Sequence, residues 1–188
     1  MADNIGMRFS SFAAHDNDPA AWQIRPLTEA DVAGLMAVQE ACYGAHYLES
    51  AAVYRARIAS GAQCSLVAVQ GGQVLAYLAA YASTLGCITP LHGDFVASAA
   101  PNTLYLHDMA VHPDCAGQGL AAALLGGMWR NAAAWSPAYS ALVSVQGSQA
   151  YWQRKGYAVH AALAGDDAAA LRAYGDDAAY MVQAYAAV

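Results

Sequence analysis

The sequence predicts an α/β fold, a mixed central sheet with helices on both faces. Segments with the length and apolar pattern of strands alternate with segments of helical periodicity along the 188 residues. Near the middle of the chain, an apolar strand-like run passes through a glycine turn directly into a helix rich in Ala and Leu. A chain of this length fits one domain with a substantial buried core.

The elements begin after a polar, aperiodic segment. Residues 1–20 predict a flexible N-terminal tail, and residues 21–188 a single domain. Thr28 and Asp31 resemble a capping box that opens the first helix, with Asp in place of the usual Glu. Two glycines within 70–73, between apolar runs, are typical of a β-hairpin. The predicted strands are 22–27, 65–69, 74–78, 104–113, 139–145, 157–160 and 179–185; the predicted helices are 28–43, 49–58, a helix from the glycine turn to residue 130, 148–155 and 166–174.

The glycine turn after the central strand is suited to an anion. The first turn of a helix carries backbone N–H groups without intrahelical partners, and the aligned peptide dipoles place partial positive charge there. Gly117 and Gly119 carry no Cβ, so a phosphate can approach these N–H groups closely. Leu120, Leu124 and Met128 recur at helical spacing, which anchors the helix to a core.

Several interpretations of this turn compete. One is a strand-to-helix turn without a ligand. A Walker loop is excluded because residues 119–121 are Gly-Leu-Ala, where that motif needs Gly-Lys-Ser/Thr. A dinucleotide site fits G-x-G-x-x-A over 117–122, but no Asp or Glu occurs from Cys115 to Gly165 to bind a ribose. The turn without a ligand stays open, and the alternative to it is an acyl-CoA pyrophosphate site, which the resemblance described next implies.

Two segments resemble a known family. Ala110-Val-His-Pro-Asp-Cys-Ala-Gly-Gln-Gly-Leu-Ala121 is similar to the pyrophosphate-binding segment of the GCN5-related N-acetyltransferase (GNAT) family, whose core is Arg/Gln-x-x-Gly-x-Gly/Ala. Ala116 departs from this core, because the family usually has Arg or Gln there. Residues 144–157 resemble the family's later strand, helix and strand, with the aromatic pair Tyr151-Trp152 and the closing pair Gly156-Tyr157.

The resemblance spans about residues 22–188 and implies a GNAT-like acyl-CoA N-acyltransferase fold, with a mixed, mostly antiparallel sheet. It implies acetyl-CoA as co-substrate and direct transfer to a primary amine of a small molecule or peptide, without a metal. The cofactor-binding residues it implies are Met109, Ala110, Val111, Ala116, Gly117, Gln118, Gly119, Leu120 and Ala121, with Ser148 and Trp152 near the later helix.

Candidate catalytic residues lie on the central strand. Asp108 is the first candidate for the general base and His107 the second, because they are consecutive polar residues in an apolar run. Since side chains alternate faces along a strand, we expect only one of them to face a given cleft. Candidates for orienting the acceptor are Tyr43, Glu49 and, in the turn-rich loop 83–103, His92.

The proton donor for the departing thiolate is harder to place. The resemblance implies a tyrosine four residues before Gly156, but that position is Trp152, which has no ionisable proton near neutral pH. Tyr151 is a candidate, although it lies about 100° around the helix from Trp152. Tyr43 and water are the other candidates. Ala116 and Trp152 therefore keep a rival open, a non-catalytic acyl-CoA-binding or regulatory module on the same fold.

Composition limits the class of partner. A net charge of −6 argues against nucleic acid. No apolar run reaches the ~18 residues that a membrane span needs, and no basic hydrophobic signal segment opens the chain, so we expect a cytoplasmic protein without membrane partners. The four cysteines lack metal-ligand spacing, which predicts free thiols. The alanine-rich C-terminal part is a candidate surface for a homodimer.

Overall fold

The computed structural model describes residues 21–163 and 165–184, and within them one mixed sheet runs through the centre. Its strands lie in the order β1-β2-β3-β4-β5-β7-β6. Only β4 and β5 are parallel, and every other neighbouring pair is antiparallel. The predicted mixed, mostly antiparallel sheet is therefore confirmed. The strands are β1 (Gln23–Pro26), β2 (Leu66–Gln70), β3 (Gln73–Ser83), β4 (Thr103–Val111), β5 (Tyr139–Ser144), β6 (Ala158–Val159) and β7 (Ala179–Ala184).

Helices cover both faces of this sheet, as predicted. They are α1 (Val32–Cys42), α2 (Ala51–Ala59), α3 (Leu120–Ala132), α4 (Gln149–Arg154) and α5 (Gly165–Ala173). On one face, Leu124 of α3 and Trp152 of α4 pack in the same cluster as Leu106 of the sheet. On the other face, Leu35 of α1 and Tyr54 of α2 pack in a second cluster. The predicted N-terminal tail and the last residue of the predicted final strand lie outside the described residues.

None of the helices in the described part of the chain combines the length and the apolar character needed to cross a bilayer. Most element boundaries lie close to the sequence prediction, but β3 was predicted to end at Leu78 and continues to Ser83, because it stays paired with β4 over that length. The second helix was expected to begin at Glu49 but begins at Ala51, because Ser50 is its N-cap and its side chain accepts a hydrogen bond from Val53 N at 3.4 Å. Glu49 therefore lies before the helix, which matters for the site.

The predicted capping box before α1 is present. Asp31 Oδ2 accepts hydrogen bonds from the backbone N of Thr28 at 2.9 Å and from its Oγ1 at 2.8 Å. Arg25 donates to both carboxylate oxygens of Asp31, at 2.7 and 2.6 Å. Burial alone would raise the pKa of the Asp31 carboxyl, but the hydrogen bonds from Arg25 and Thr28 hold it below its ordinary value.

Replacing Asp31 by Ala is expected to lower the free energy of unfolding by about 1–2 kcal/mol, because the cap of α1 and the partner of Arg25 are both lost. Urea unfolding at pH 7 measures this. The matched control is Glu29→Ala in the same turn. Its carboxylate is 76% exposed and lies 3.5 Å from exposed Arg55, so its loss should stay within about 0.5 kcal/mol. Equal losses of unfolding free energy in the two variants would contradict the stabilising role assigned to Asp31.

Candidate functional site

The parallel strands β4 and β5 separate halfway along their length and leave a gap. They pair from Thr103 with Tyr139 to Leu106 with Leu142, and no further pair joins them among the described residues. Beyond that point β4 remains paired with β3, and β5 remains paired with β7. A cavity of about 240 Å³ opens in this gap, and we call it the large cavity to distinguish it from a smaller one beside it. It is lined mainly by residues 106–109 of β4, by Leu142 and Val143 of β5, and by Ser148, Tyr151 and Trp152.

A β-bulge in β4 lies at the point of separation. Ala79 of β3 pairs with Asp108 and the next residue, Ala80, pairs with Leu106, so His107 is an extra residue without a pair across from it. A bulge of this kind interrupts the alternation of side chains along the strand. His107 and Asp108 accordingly line the same cavities. The expectation that only one of them faces a given cleft was wrong, because it assumed a regular strand.

Three tyrosine hydroxyls surround the carboxylate of Asp108. Tyr43 donates to Oδ1 at 2.7 Å, whereas Tyr54, at 2.7 Å, and Tyr77 both donate to Oδ2. Tyr43 also lies 3.0 Å from the carbonyl oxygen of Met109. Because a carboxylate offers about four acceptor positions, Oδ1 retains one for a further donor. The geometry thus holds Asp108 firmly and leaves one oxygen able to bind a ligand.

These tyrosines hold their protons tightly. Burial raises the pKa of the Tyr43, Tyr54 and Tyr77 hydroxyls well above the ordinary value, and the nearby charge of Asp108 raises it further. All three are therefore neutral hydrogen-bond donors at physiological pH. They stabilise the charge of Asp108 without supplying a positive charge to cancel it.

A buried ion pair orients His107. Glu49 is 3% exposed and Arg57 1% exposed, and the guanidinium donates through both Nη atoms to the two carboxylate oxygens. Glu49 Oε2 also lies 3.1 Å from His107 Nε2, and Oε1 accepts a bond from the backbone N of His92 at 2.7 Å. Burial would raise the pKa of Glu49, but the bonds from His107 and Arg57 hold it well below its ordinary value.

The ionised Glu49 determines which nitrogen of His107 carries a proton. A carboxylate only accepts hydrogen bonds, so Nε2 of His107 must donate to it. In the neutral imidazole, Nδ1 is then an unprotonated acceptor. The side chain is 2% exposed, and Nδ1 has no hydrogen-bond partner among the described residues. This arrangement, in which a carboxylate holds one ring nitrogen and leaves the other free, suits a general base.

A second, small cavity of about 40 Å³ lies beside the large one. His107 and Asp108 line both, so the two cavities are neighbours. The walls of the small cavity also include Glu49 and the rings of Tyr43, Tyr47 and Tyr174. The site therefore joins a wide gap in the sheet to a narrow, tyrosine-lined recess.

The predicted anion site has the backbone geometry that its glycines require. Gly117 and Gly119 have φ angles of 78° and 81°, in the left-handed region, and Gly119 is the N-cap of α3. Apart from the glycine and its two neighbours along the chain, no atom of the described residues lies within 4 Å of the position that a Cβ would take at Gly117 or Gly119. Residues 116–119 are exposed, whereas Leu120 and Leu124 are fully buried. The first turn of α3 is therefore open to a ligand, and its buried leucines hold the helix against the core.

The later helix α4 supplies one wall of the large cavity. Tyr151 and Trp152 both line it, with ring centroids 5.0 Å apart, and Ser148 lines it with its Oγ 2.9 Å from Oγ of Ser144. The angular separation of Tyr151 and Trp152 on the helix thus does not keep Tyr151 out of the cavity. Burial raises the pKa of Tyr151, so its hydroxyl is protonated at neutral pH.

Most of the predicted site residues lie around the two cavities or at the glycine turn. His92 contributes in a different way than we expected. The imidazole of His92 is exposed and lines neither cavity; only its backbone N–H reaches the site. Its φ angle of 64° lies in the left-handed region. Residues that the sequence analysis did not single out are Tyr54, Tyr77 and Arg57, each of which holds a predicted residue in place.

Solved structures share this fold at low sequence identity. An N-acetyltransferase from Escherichia coli for the alanine of ribosomal protein S18 is 15% identical, with a TM-score of 0.63 over 88% of this chain and 94% of that one. PaiA N-acetyltransferase from Thermoplasma acidophilum, in complex with coenzyme A, is 13% identical, with a TM-score of 0.64 over 88% and 99%. A GNAT acetyltransferase from Brucella melitensis, in complex with acetyl-CoA, is 20% identical, with a TM-score of 0.58 over 89% and 90%. The likeness establishes the acyl-CoA N-acyltransferase fold.

The family follows from the sequence itself. The model of the acetyltransferase (GNAT) family matches residues 32–157, which is more than half of the chain. No curated protein matches the sequence significantly. The chain belongs to the acetyltransferase (GNAT) family.

Proposed function

We propose that this protein transfers an acetyl group from acetyl-CoA directly to a primary amine of a small molecule or peptide. The observation that carries the proposal is the gap between β4 and β5. The large cavity in that gap contains His107 and Asp108, and the same strand leads into the glycine turn. A thioester and an amine can be held together there, which lowers the entropic cost of direct transfer. The CoA and acetyl-CoA bound in two solved structures of the fold support this co-substrate.

Acetyl-CoA would be held chiefly by main-chain groups. Backbone N–H groups in residues 116–121 receive the pyrophosphate, where the dipole of α3 favours negative charge. The pantetheine arm follows β4 over residues 109–111, along the edge that β5 leaves. Ser148 and Trp152 line the cavity that receives the thioester. Because main-chain groups do most of this work, Ala116 weakens the site less than its departure from the family pattern indicates.

His107 and Asp108, the two polar residues at the bulge, have different roles toward the amine. Asp108 Oδ1 binds the acceptor, and Nδ1 of His107 takes the proton that the amine loses. The bound ammonium first gives one proton to water, and the neutral amine nitrogen then bonds to the thioester carbon as its second proton passes to His107. The carbon–sulfur bond breaks, and the thiolate takes a proton from Tyr151, which solvent reprotonates. Trp152 carries no ionisable proton, so Tyr151 is the side chain of α4 that fits this last role. We assign the base to His107 because three hydroxyls already donate to Asp108, whereas Nδ1 of His107 has no hydrogen-bond partner in the described chain.

Gly119→Ala is expected to weaken acetyl-CoA binding by about 10–100-fold. The added methyl would lie in the open space over the first turn of α3 and keep the phosphates from N–H groups whose charge-assisted bonds contribute roughly 1.5–3 kcal/mol. Isothermal titration calorimetry measures the affinity. Gly72→Ala is the matched control, because Gly72 has a φ of 84° and an equally open Cβ position in the β2–β3 turn. Both variants carry the same backbone strain, so equal affinities would contradict the placement of the site.

Release of CoA from acetyl-CoA, followed with a thiol reagent and a broad panel of primary amines, tests the proposal. Release that depends on an added amine, with the N-acetylated amine identified by mass spectrometry, supports it. The rival function is the non-catalytic acyl-CoA-binding module, favoured by Trp152 in place of a proton donor. Tight binding of acetyl-CoA with no release for any amine would establish the rival instead.

A further inference from the structure

The small cavity carries a negative charge that no side chain in contact with it cancels. The hydrogen-bond partners of Asp108 in the described chain are the neutral hydroxyls of Tyr43, Tyr54 and Tyr77. The charge of Glu49, by contrast, is cancelled by Arg57. Asp108 is half-buried, and a partly desolvated carboxylate without a counter-ion favours a cationic ligand. The cavity therefore has the electrostatics of an ammonium site.

The positive charge paired with Glu49 is engaged outside the lining of the cavities. Arg57 donates through both Nη atoms to Glu49 and through Nε and Nη2 to the carbonyl oxygen of Gly93, at 3.0 and 2.8 Å. Its side chain is 1% exposed and lines neither cavity. None of the described residues that line the two cavities is Lys or Arg. An anionic group on the acceptor would find no counter-ion here.

The walls and size of the small cavity fit a short alkyl group that bears a positive charge. The ring centroids of Tyr43 and Tyr47 are 6.4 Å apart with the planes inclined at 58°, and Tyr174 closes another side. Aromatic faces attract ammonium groups, and Leu91 and Val145 supply apolar contact. At roughly 10–15 Å³ for each water-sized group, 40 Å³ admits a head of about three heavy atoms. The oxygen Oδ1 of Asp108, on the same cavity, has one acceptor position left for the ammonium group.

We propose that the acceptor is a primary alkylammonium with no carboxylate beside its amino group, and that free α-amino acids are excluded. This inference rests on the proposed acetyl transfer and specifies its acceptor. With the amino group at Asp108, an adjacent carboxylate would come close to the uncancelled charge of Asp108, and no described residue that lines the two cavities is a Lys or Arg that could offset it. Such like-charge contacts in a desolvated site are strongly unfavourable.

The test compares acceptors that differ in the carboxylate. Alaninamide is paired with alanine, and 2-phenylethylamine with phenylalanine. Forming the amide lowers the basicity of the amine, whereas removing the carboxylate raises it, so a preference common to both pairs does not arise from amine basicity. We expect kcat/KM to be about 100-fold or more higher for the member without the carboxylate. Thermal stabilisation by the same four compounds, with CoA present, gives a readout that does not need turnover.

The outcomes separate the inference from the function on which it rests. If turnover favours the member without the carboxylate in each pair, the result supports the acceptor inference and the proposed acetyl transfer. Stabilisation with the same preference but no turnover supports the ammonium site, and it overturns acetyl transfer if no amine of the broad panel is acetylated either. Equal handling of the members, or a preference for the free amino acids, overturns the inference. The absence of both turnover and stabilisation with all four compounds overturns the inference, and acetyl transfer is overturned with it only if no amine of the broad panel is acetylated.

Two variants test whether Asp108 carries the selectivity. Asp108→Asn removes its negative charge while keeping a similar shape, so the preference within each pair should fall to less than about 10-fold. Asp94→Asn changes the net charge by the same amount, but Asp94 is exposed and lines a different cavity near Val96. The Asp94→Asn variant should show the same preference within each pair as the unmodified protein. An unchanged preference in Asp108→Asn would contradict the proposed role of that charge.

Discussion

Replacing Glu49 by Gln should lower the free energy of unfolding by about 3–5 kcal/mol at pH 7, the largest stability effect that we expect from one polar substitution. The amide cannot cancel the charge of Arg57, which is 1% exposed and would be left buried without a counter-ion. It also weakens the hold on His107. Urea unfolding followed by circular dichroism measures the loss.

The pH dependence of this loss gives an independent check. The pKa of Glu49 is depressed in the folded protein, so its contribution to stability is complete above the unfolded value of about 4.5 and is lost as pH falls through the folded value. The difference between Glu49→Gln and the unmodified protein should therefore shrink below about pH 4.5. Glu40→Gln on the exposed side of α1 is the control, with a loss within about 0.5 kcal/mol. If Glu49→Gln also lost only about 0.5 kcal/mol of unfolding free energy, the result would contradict the stabilising role of the buried Glu49–Arg57 ion pair.

Replacing His107 by Gln should lower kcat by about 10²–10⁴-fold, the range typical of a lost general base, with little change in the affinity for acetyl-CoA. Gln can place an amide N–H near the position of Nε2 and keep the bond to Glu49, but it offers no basic nitrogen in place of Nδ1. Steady-state kinetics with an amine from the panel above and calorimetric titration with acetyl-CoA measure the two quantities.

A structural defect would give a different result. The melting temperature of His107→Gln should stay within a few degrees of that of the unmodified protein, because the contact with Glu49 is retained. His160→Gln, next to β6 and on the lining of neither cavity, is the control and should keep kcat within about twofold. An unchanged kcat in His107→Gln would leave Asp108 as the remaining candidate for the base.

The elements with strong local signals could be predicted from the sequence. The hairpin between β2 and β3 depends on the positive φ angles of Gly71 and Gly72, which glycine adopts without strain. The capping box depends on Thr28 and Asp31, three residues apart. The turn before α3 depends on Gly119, whose left-handed conformation is a property of one residue. Each signal lies within a few residues, so it does not need the tertiary structure.

The interior of the site could not be predicted in the same way, because distant elements build it. The hydroxyls around Asp108 come from residues 65, 54 and 31 positions away, on or beside α1, α2 and β3. The bulge at His107 is set by pairing with β3 and leaves no pattern in β4 alone. Glu49 and Arg57 would lie about 12 Å apart along one helix, and they meet because Glu49 precedes α2.

The most direct test of the central claim, an acyl-CoA site formed by the α3 turn and the β4–β5 gap, is the melting temperature with acetyl-CoA, CoA or NADH, each in large excess. A ligand at about 100 times its dissociation constant adds roughly 2.7 kcal/mol of stability, which raises the melting temperature by a few degrees. We predict an increase with acetyl-CoA and with CoA and none with NADH. An increase with NADH alone, or no increase with either CoA species, would contradict the claim.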